Sequence, residues 1–425
     1  MSEVIPEFSQ NANNMRKSVI RELLKLTQQP NIISFAGGLP APETFPVHDL
    51  EEATQQVYKK SAVAALQYGA TEGENPLKAE LIKYERSRGI QVEKGNLLIT
   101  SASQQALDMM PKIFLDPGDC VLAERPTYLG AIQAIQSYQG KIIGIPSSAD
   151  NDGFDMVEMG KRYERAKAYG EKVKYIYVIP DFQNPSGICW SLEKRKALLD
   201  FAYREKLFVV EDAPYREIRF MGESIPSIYE LDQKGKNEGN VICLKTFSKI
   251  LAPGTRVGWI LAREDIIQKL VIAKQAIDLC TSPFMQYVIA EYLSMGKLDA
   301  LIQATRDNYR EKRNFMLKML DKYMPKRFDL TWTKPEGGLF LWISLPHYID
   351  TEKMFYRAVE KNVAYVIGSA FYFDEAELNC MRINFSYSSF EQIEEGVKRL
   401  ASVIQDEIDA HESGPRGQTC PEGIC

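Results

Sequence analysis

Between Leu244 and Gly258 the chain gathers amines, hydroxyls and a guanidinium: Leu244-Lys245-Thr246-Phe247-Ser248-Lys249, then Pro253-Gly254, Arg256 and Gly258. A lysine amine can form an imine with an aldehyde, Thr246 and Ser248 can donate hydroxyl hydrogen bonds, and the planar fork of Arg256 suits a phosphate. A cofactor held covalently through its aldehyde and non-covalently through its phosphate, as pyridoxal phosphate is, needs such ligands close together in sequence. A polar surface loop has the same composition, so this stretch alone leaves both readings open. Spacing alone does not choose between Lys245 and Lys249 as the amine.

Three further stretches carry candidate chemistry. In Ser101-Ala102-Ser103-Gln104-Gln105, small residues lead from a strand-like run into a helical one, which exposes backbone N–H groups to an anion at the positive helix end. Taken alone, it also reads as an ordinary helix cap. Asn184-Pro185-Ser186-Gly187 is a turn by composition. Asp212-Ala213-Pro214-Tyr215 reads either as capping at a strand end or as a carboxylate set to hold a protonated pyridine nitrogen.

These groups acquire meaning from the elements that position them. Seven β-branched runs, Leu97–Thr100, Cys120–Ala123, Lys141–Ile145, Lys174–Ile179, Leu207–Glu211, Val241–Leu244 and Val257–Leu261, alternate with amphipathic stretches such as Gln104–Phe114, Tyr128–Ser137 and Leu192–Glu205. That alternation predicts an α/β fold with a mainly parallel sheet. In open α/β sheets ligands gather outside the carboxyl ends of the strands. Ser103 and Gln104, Asn184, Asp212 and Tyr215, and Lys249 each follow a different strand end, a joint placement much harder to attribute to chance than any one alone.

A second texture follows. The chain reads as helical from Ser282 to about Tyr323, in more than one helix or a kinked one. Strands are then expected at Leu330–Trp332, Gly338–Ile343 and Met381–Phe385, with helices near Thr351–Lys361 and Phe390–Ile408, a smaller α+β domain. Ahead of the sheet, a short helical piece at Val19–Thr27 precedes Phe35-Ala36-Gly37-Gly38-Leu39-Pro40, a glycine loop whose backbone can approach a ligand closely.

The 425 residues suffice for two or three domains, and 45% hydrophobic content supports sizeable cores. The net charge of −5 without a basic run argues against nucleic acid. Met1–Asn14 is polar and no apolar run approaches the ~18 residues of a membrane span, so a soluble protein without a secretory address is expected. Seven cysteines, at 120, 189, 243, 280, 380, 420 and 425, form no C-x-x-C pair and have three histidines to help them, so no metal is expected and a reducing cytoplasm fits best. The stretch from Glu412 to Cys425 reads as a disordered tail.

Taken together, Ser-x-Ser-Gln-Gln, Arg-Pro-Thr-Tyr, Asn-Pro-Ser-Gly, Asp-x-x-Tyr, Thr-Phe-Ser-Lys with Pro-Gly-x-Arg-x-Gly, and Met-Arg-Ile-Asn-Phe resemble the class I/II aminotransferases among the fold-type I pyridoxal-phosphate enzymes. Within them the likeness is to the 2-aminoadipate and kynurenine branch, over about Val19 to Ser386. The resemblance implies a PLP-dependent transferase fold of type I and a homodimer with shared sites. It implies a segment 1–46 contributing to the small domain and the site, a large cofactor domain at 47–290, the rest of the small domain at 291–411 and a tail at 412–425. By the same likeness Lys249 would anchor pyridoxal phosphate and move the proton between substrate Cα and cofactor C4′. Asp212 would keep the ring nitrogen protonated, Tyr215 and Asn184 would bond the phenolic oxygen, and Tyr128 would stack on the ring. Ser103, Gln104, Thr246, Ser248 and Arg256 would bind phosphate, joined by Tyr68 of a second subunit. Thr246 stands where many relatives have serine, a change that keeps the hydroxyl.

Substrate contacts are implied for Gly38, Asn184 and Arg382, the last gripping the α-carboxylate. Flanked by Met381 and Ile383, Arg382 is expected to be buried, and a buried arginine needs an anionic partner. Lys245 is expected to face solvent or a helix. In Ser18-Val19-Ile20-Arg21-Glu22-Leu23, the likeness implies that Arg21 turns toward a distal carboxylate or swings away for apolar side chains. The activity implied is amino transfer from an L-amino acid to a 2-oxo acid. A β-lyase or decarboxylase on the same scaffold is the alternative, and a sensor domain of a transcription regulator a more distant one.

Overall fold

The structure, a computed structural model, describes residues 7–14, 31–148, 150–235 and 239–413. After β1 (Ile33–Ser34) come the seven strands of the main sheet: β2 (Leu97–Thr100), β3 (Cys120–Arg125), β4 (Lys141–Pro146), β5 (Val173–Val178), β6 (Phe208–Asp212), β7 (Val241–Thr246) and β8 (Gly258–Leu261). They are the seven runs anticipated from the sequence, with only small shifts at their ends. Their order across the sheet is β2-β8-β7-β6-β5-β3-β4. β8 is antiparallel to both β2 and β7, and the other pairs are parallel. The carboxyl ends of all the other strands therefore lie on the rim where β8 begins.

Near-continuous apolar strands signal a sheet covered on both faces, and strand alternation sorts the side chains between them. Tyr175, Tyr177, Val210, Ile242 and Leu244 pack with Ala106, Met110, Ile135 and Leu270 from helices Ala102–Phe114, Leu129–Ser137 and Glu264–Gln275. Ile176, Val178, Val209, Val241 and Cys243 face the other way, into a cluster with Leu81, Met159, Leu198 and Ile228 from helices Asn75–Ser87, Met156–Ala168, Leu192–Glu205 and Ile228–Lys234. The start of Leu192–Glu205 is set by Ser191, whose side chain accepts from the Lys194 amide.

The long helical stretch resolves into Pro283–Ser294 and Leu298–Tyr323. Gly296 separates them with φ +70°, a left-handed value that glycine adopts without strain. Beyond them β9 (Thr331–Trp332), β10 (Phe340–Ser344), β12 (Val366–Ile367) and β13 (Cys380–Asn384) form an antiparallel sheet in the order β12-β13-β10-β9. β11 (Val363–Ala364) pairs instead with β1, in parallel. The two-residue strands β1, β11 and β12 are too short to leave a periodic trace and were not anticipated. The last helix, Phe390–Ser413, passes the expected end at Ile408. It includes Glu412, placed at the start of a disordered tail by composition, which instead pairs with Arg327 at 2.8 Å. Residues 414–425 and the anticipated helix Val19–Thr27 lie outside the described residues.

Alternation along β7 also decides where Lys245 points. Thr246 shares a face with Leu244, and Lys245 points through the opposite one, toward helix Asn75–Ser87. There its Nζ donates to both carboxylate oxygens of Glu85, each at 2.8 Å, while Trp259 Nε1 donates to Glu85 at 2.9 Å. Both members of the pair are buried. Of the two surroundings expected for Lys245, the helix is the one found. Removing one partner of a buried ion pair strands the other charge, so Glu85→Ala should lower unfolding stability by about 3–5 kcal/mol, measured by denaturant titration, whereas a loss below ~1 kcal/mol would mean that Lys245 is readily solvated in the folded state.

Candidate active site

The rim collects the candidate groups around one cavity of about 550 Å³, lined by Gly38, Ser103, Gln104, Tyr128, Asn184, Asp212, Tyr215, Thr246, Ser248, Lys249, Phe340, Arg256 and Arg382 among others. All the site residues proposed from sequence are there except two. Tyr68 is 82% exposed and lies outside this cavity. Arg21 lies outside the described residues.

Hydroxyls, a helix start and a guanidinium meet on the cavity wall, groups suited to an anion. Helix Ala102–Phe114 starts there, its entry held by Asp278, which accepts from Ser101 Oγ at 3.0 Å and Gln105 Nε2 at 2.8 Å. Thr246 Oγ1 lies 2.9 Å from Ser248 Oγ and accepts from the Ser248 amide at 3.1 Å. Arg256 comes from the loop that enters β8, so the reversed direction of that strand delivers the guanidinium to the same rim. Ala102 and Arg256 hold left-handed backbone, with φ +60° and +50°. Such strain in residues with side chains concentrates at ligand clamps.

Asp212, which also lines the cavity, is buried at the end of β6. Its Oδ2 accepts from the Tyr177 hydroxyl at 2.8 Å, and its Oδ1 is buried without a hydrogen-bond partner among the described residues. Burial pushes this carboxyl up to about 7 against the opposing hydrogen bond from Tyr177. An orphaned buried acceptor together with hydroxyls, a helix start and an arginine around one cavity fits a protonated heteroaromatic ring bearing a phosphate. Tyr128 lines the same cavity, and its hydroxyl donates to Gln104 Oε1 at 3.3 Å. Gly130 gives them room: a Cβ there would fall 2.5 Å from the Tyr128 ring and 2.7 Å from Gln104 Oε1.

Lys249 lines the cavity and donates to the Gly38 carbonyl at 2.8 Å. Burial, with the charges of Arg382 and Arg256 adding to it, pushes its amine down to about 8, so a sizeable neutral fraction exists near neutrality. Arg382, 4% exposed, donates through Nη1 to Asn184 Oδ1 and through Nη2 to the Ala36 carbonyl, both at 2.8 Å. Its guanidinium lies over the rings of Phe340 and Phe371, 4.1 and 5.1 Å from their centroids. Among the described residues the anionic partner expected for a buried arginine is missing, and Arg382 Nε has no hydrogen-bond partner. Burial pushes the guanidinium down to about 10, with Tyr215 and Tyr128 opposing. It is a desolvated cation facing open space, suited to a carboxylate.

Sequence reasoning missed Tyr177, Phe340 and Phe371. Tyr177 was detectable, since it stands two residues before Ile179 on the strand face that alternation assigns to Asp212. The phenylalanines, from β10 and the segment after β12, carried no signal beyond hydrophobicity.

A profile of the family "Aminotransferase class I and II" matches residues 30–400. The chain belongs to that family. Pyridoxal phosphate is its cofactor and amino transfer its reaction. An aromatic-amino-acid aminotransferase of Thermococcus litoralis is 46% identical, over 94% of each chain. Among solved structures, the kynurenine aminotransferase of Pyrococcus horikoshii superposes with a TM-score of 0.88 at 45% identity, covering 94% of this chain and 97% of that one. The α-aminoadipate aminotransferase of Thermus thermophilus, solved with N-(5'-phosphopyridoxyl)-L-leucine, gives 0.86 at 38% identity, covering 94% and 98%. For this aminotransferase the fold expected from sequence is the fold found.

Two lysines four residues apart now differ in a measurable way. Treating the cofactor-free aminotransferase with pyridoxal phosphate and borohydride should label Lys249, with capture accelerating as pH rises through about 8, because only the neutral amine attacks. Peptide mapping that found the label on Lys245, or a rate still climbing near the usual lysine value of about 10.4, would refute this account of the amine.

Proposed function

We propose that this transaminase moves the amino group of an L-amino acid to a 2-oxo acid such as 2-oxoglutarate by a ping-pong course, accepting both acidic and large apolar donors. The observation that carries the reading is Arg382, a buried guanidinium that has no carboxylate partner among the described residues and lines the cavity shared with Lys249 and Asp212. An α-carboxylate supplies the missing charge and places the substrate's Cα toward Lys249. Pyridoxal phosphate, when bound, would supply the electron sink for bond changes at that carbon. Lys249 would anchor the cofactor and would move the proton between the substrate Cα and the cofactor C4′. Asp212 would keep the ring nitrogen protonated, Tyr215 and Asn184 would hydrogen-bond the ring oxygen, and Tyr128 would stack on the ring. Ser103, Gln104, Thr246, Ser248 and Arg256 would hold the phosphate. Gly38 borders the substrate with its backbone.

The donor range rests on the relatives named for aromatic amino acids, kynurenine and α-aminoadipate, and on Arg21 as a side chain that meets a distal carboxylate only when one arrives. We place the cofactor unit at residues 47–290 and the second unit at 1–46 with 291–411, a division supported by the pairing of β1 with β11. A cytoplasmic homodimer is the favoured state. The free thiols of Cys120, Cys189, Cys243, Cys280 and Cys380 fit a reducing compartment, and among the described residues no helix is long and apolar enough to cross a membrane.

A half-reaction screen, adding single amino acids and following loss of the cofactor's aldehyde-form absorbance, tests the whole reading. Arg382→Ala should weaken every donor by about 2–5 kcal/mol, roughly 30- to several-thousand-fold in kcat/KM; a loss below threefold would place the α-carboxylate elsewhere. Arg21→Ala should weaken only acidic donors, by about 1–3 kcal/mol, and equal losses for apolar donors would remove it from side-chain recognition. For the dimer, Tyr68 supplies the test. If it completes the partner's phosphate site, hybrids of a Tyr68→Phe chain and a Lys249→Ala chain should regain activity that neither parent has in full, and absence of rescue with subunit exchange verified would argue for sites built within one chain.

A further inference from the structure

We propose that Tyr177 is a positioning residue for Asp212: its hydroxyl grips one carboxylate oxygen, turns the other toward the cavity and holds the charge on the aspartate when a ring nitrogen lies against it. The inference rests on the reading of Asp212 as the ring-nitrogen partner. β5 and β6 are parallel neighbours in which Tyr177 pairs with Val210, so Tyr177 and Asp212 lie diagonally on one sheet face. The hydroxyl is 2.8 Å from Oδ2, both side chains are buried, and Oδ1 has no partner.

No lysine or arginine among the described residues pairs with Asp212, and an isolated carboxylate in apolar surroundings tends to take up a proton. The Tyr177 phenol opposes that. Burial, reinforced by the neighbouring Asp212 charge, drives its own ionisation far above the usual range, so it stays protonated and can only donate in this pair. Glu124, another buried carboxyl nearby, does not compete: it accepts from the Ile179 amide at 3.1 Å and Trp190 Nε1 at 3.0 Å. The Tyr177 ring itself packs among apolar side chains of the sheet face. Its one polar atom is therefore the part that acts on Asp212. When the hydroxyl is removed the aspartate becomes more basic, and the proton it shares with the ring nitrogen moves toward the carboxylate.

The test uses holoenzyme reconstituted with pyridoxal phosphate isotopically labelled at the ring nitrogen, whose NMR shift reports protonation. Tyr177→Phe, which keeps the ring, should move the shift toward the unprotonated value. It should also raise the cofactor dissociation constant, read by fluorescence on the cofactor-free protein, by about tenfold, the lower end for one hydrogen bond to a charged group. kcat should fall while KM stays within a few-fold. A ring-fluorinated tyrosine at the same position, a stronger donor of nearly the same shape, should move the nitrogen shift the opposite way, and it serves as the deciding variant if the phenylalanine form does not fold. Asp212→Asn separates the two levels of argument. If it changes the shift while both Tyr177 replacements leave it unchanged, the Tyr177 proposal fails alone; if Asp212→Asn also leaves it unchanged, the reading of Asp212 fails and takes the proposal with it.

Discussion

Charge without countercharge is the condition on which the rest of this site depends. Lys249, Asp212 and Arg382 surround one cavity, and among the described residues none has an opposite charge within bonding distance. They are held by a carbonyl, a phenol, and an amide with a carbonyl. Desolvation moves each toward neutrality: the lysine to about 8, the aspartate to about 7, the arginine to about 10. Other buried charges of the protein are closed by partners of opposite charge. Lys245 meets Glu85, and Asp181 sits between Arg195 and Arg216. The contrast separates ion pairs within the fold from three cavity-lining groups without a countercharge among the described residues.

The sheet makes that separation possible by parity. Neighbouring residues on β7 look through opposite faces, so Lys245 is committed to the closed side with Glu85 while Thr246 opens to the cavity side. β6 does the same with Glu211 and Asp212: Glu211 accepts from the amides of Ile228 and Tyr229 at 2.9 Å, closing a helix start, and Asp212 keeps an oxygen free. Adjacent residues of like charge thus serve structure and chemistry without competing.

Much of this was legible before any coordinates. The seven strands showed as β-branched runs, and the rule that ligands collect at strand carboxyl ends put Ser103, Asn184, Asp212 and Lys249 on one rim. What stayed hidden did so for physical reasons. Strands of two residues, such as β1 and β11, have no period to detect. Phe340 and Phe371 act through the faces they offer to Arg382, and a phenylalanine's code for stacking on a cation is the same as its code for filling a core. The lack of a carboxylate beside Arg382 is a property of three-dimensional neighbours. Tyr177 is the intermediate case, hidden among apolar residues of a strand yet recoverable from alternation.

The reversed strand β8 has a consequence for the order in which the molecule comes together. β2 is the first strand of the main sheet in sequence, yet its neighbour in that sheet is β8, the last to be made. The sheet edge that carries Ser103 and Gln104 must wait for a contact of long sequence separation, and such contacts are slow to form. The groups contributed by the helix after β2 and by the loop before β8 are therefore brought together late. A nascent or truncated chain that ends before β8 has the aspartate and the lysine but lacks the strand that joins β2 to β7, which would make cofactor capture a report that the sheet has closed.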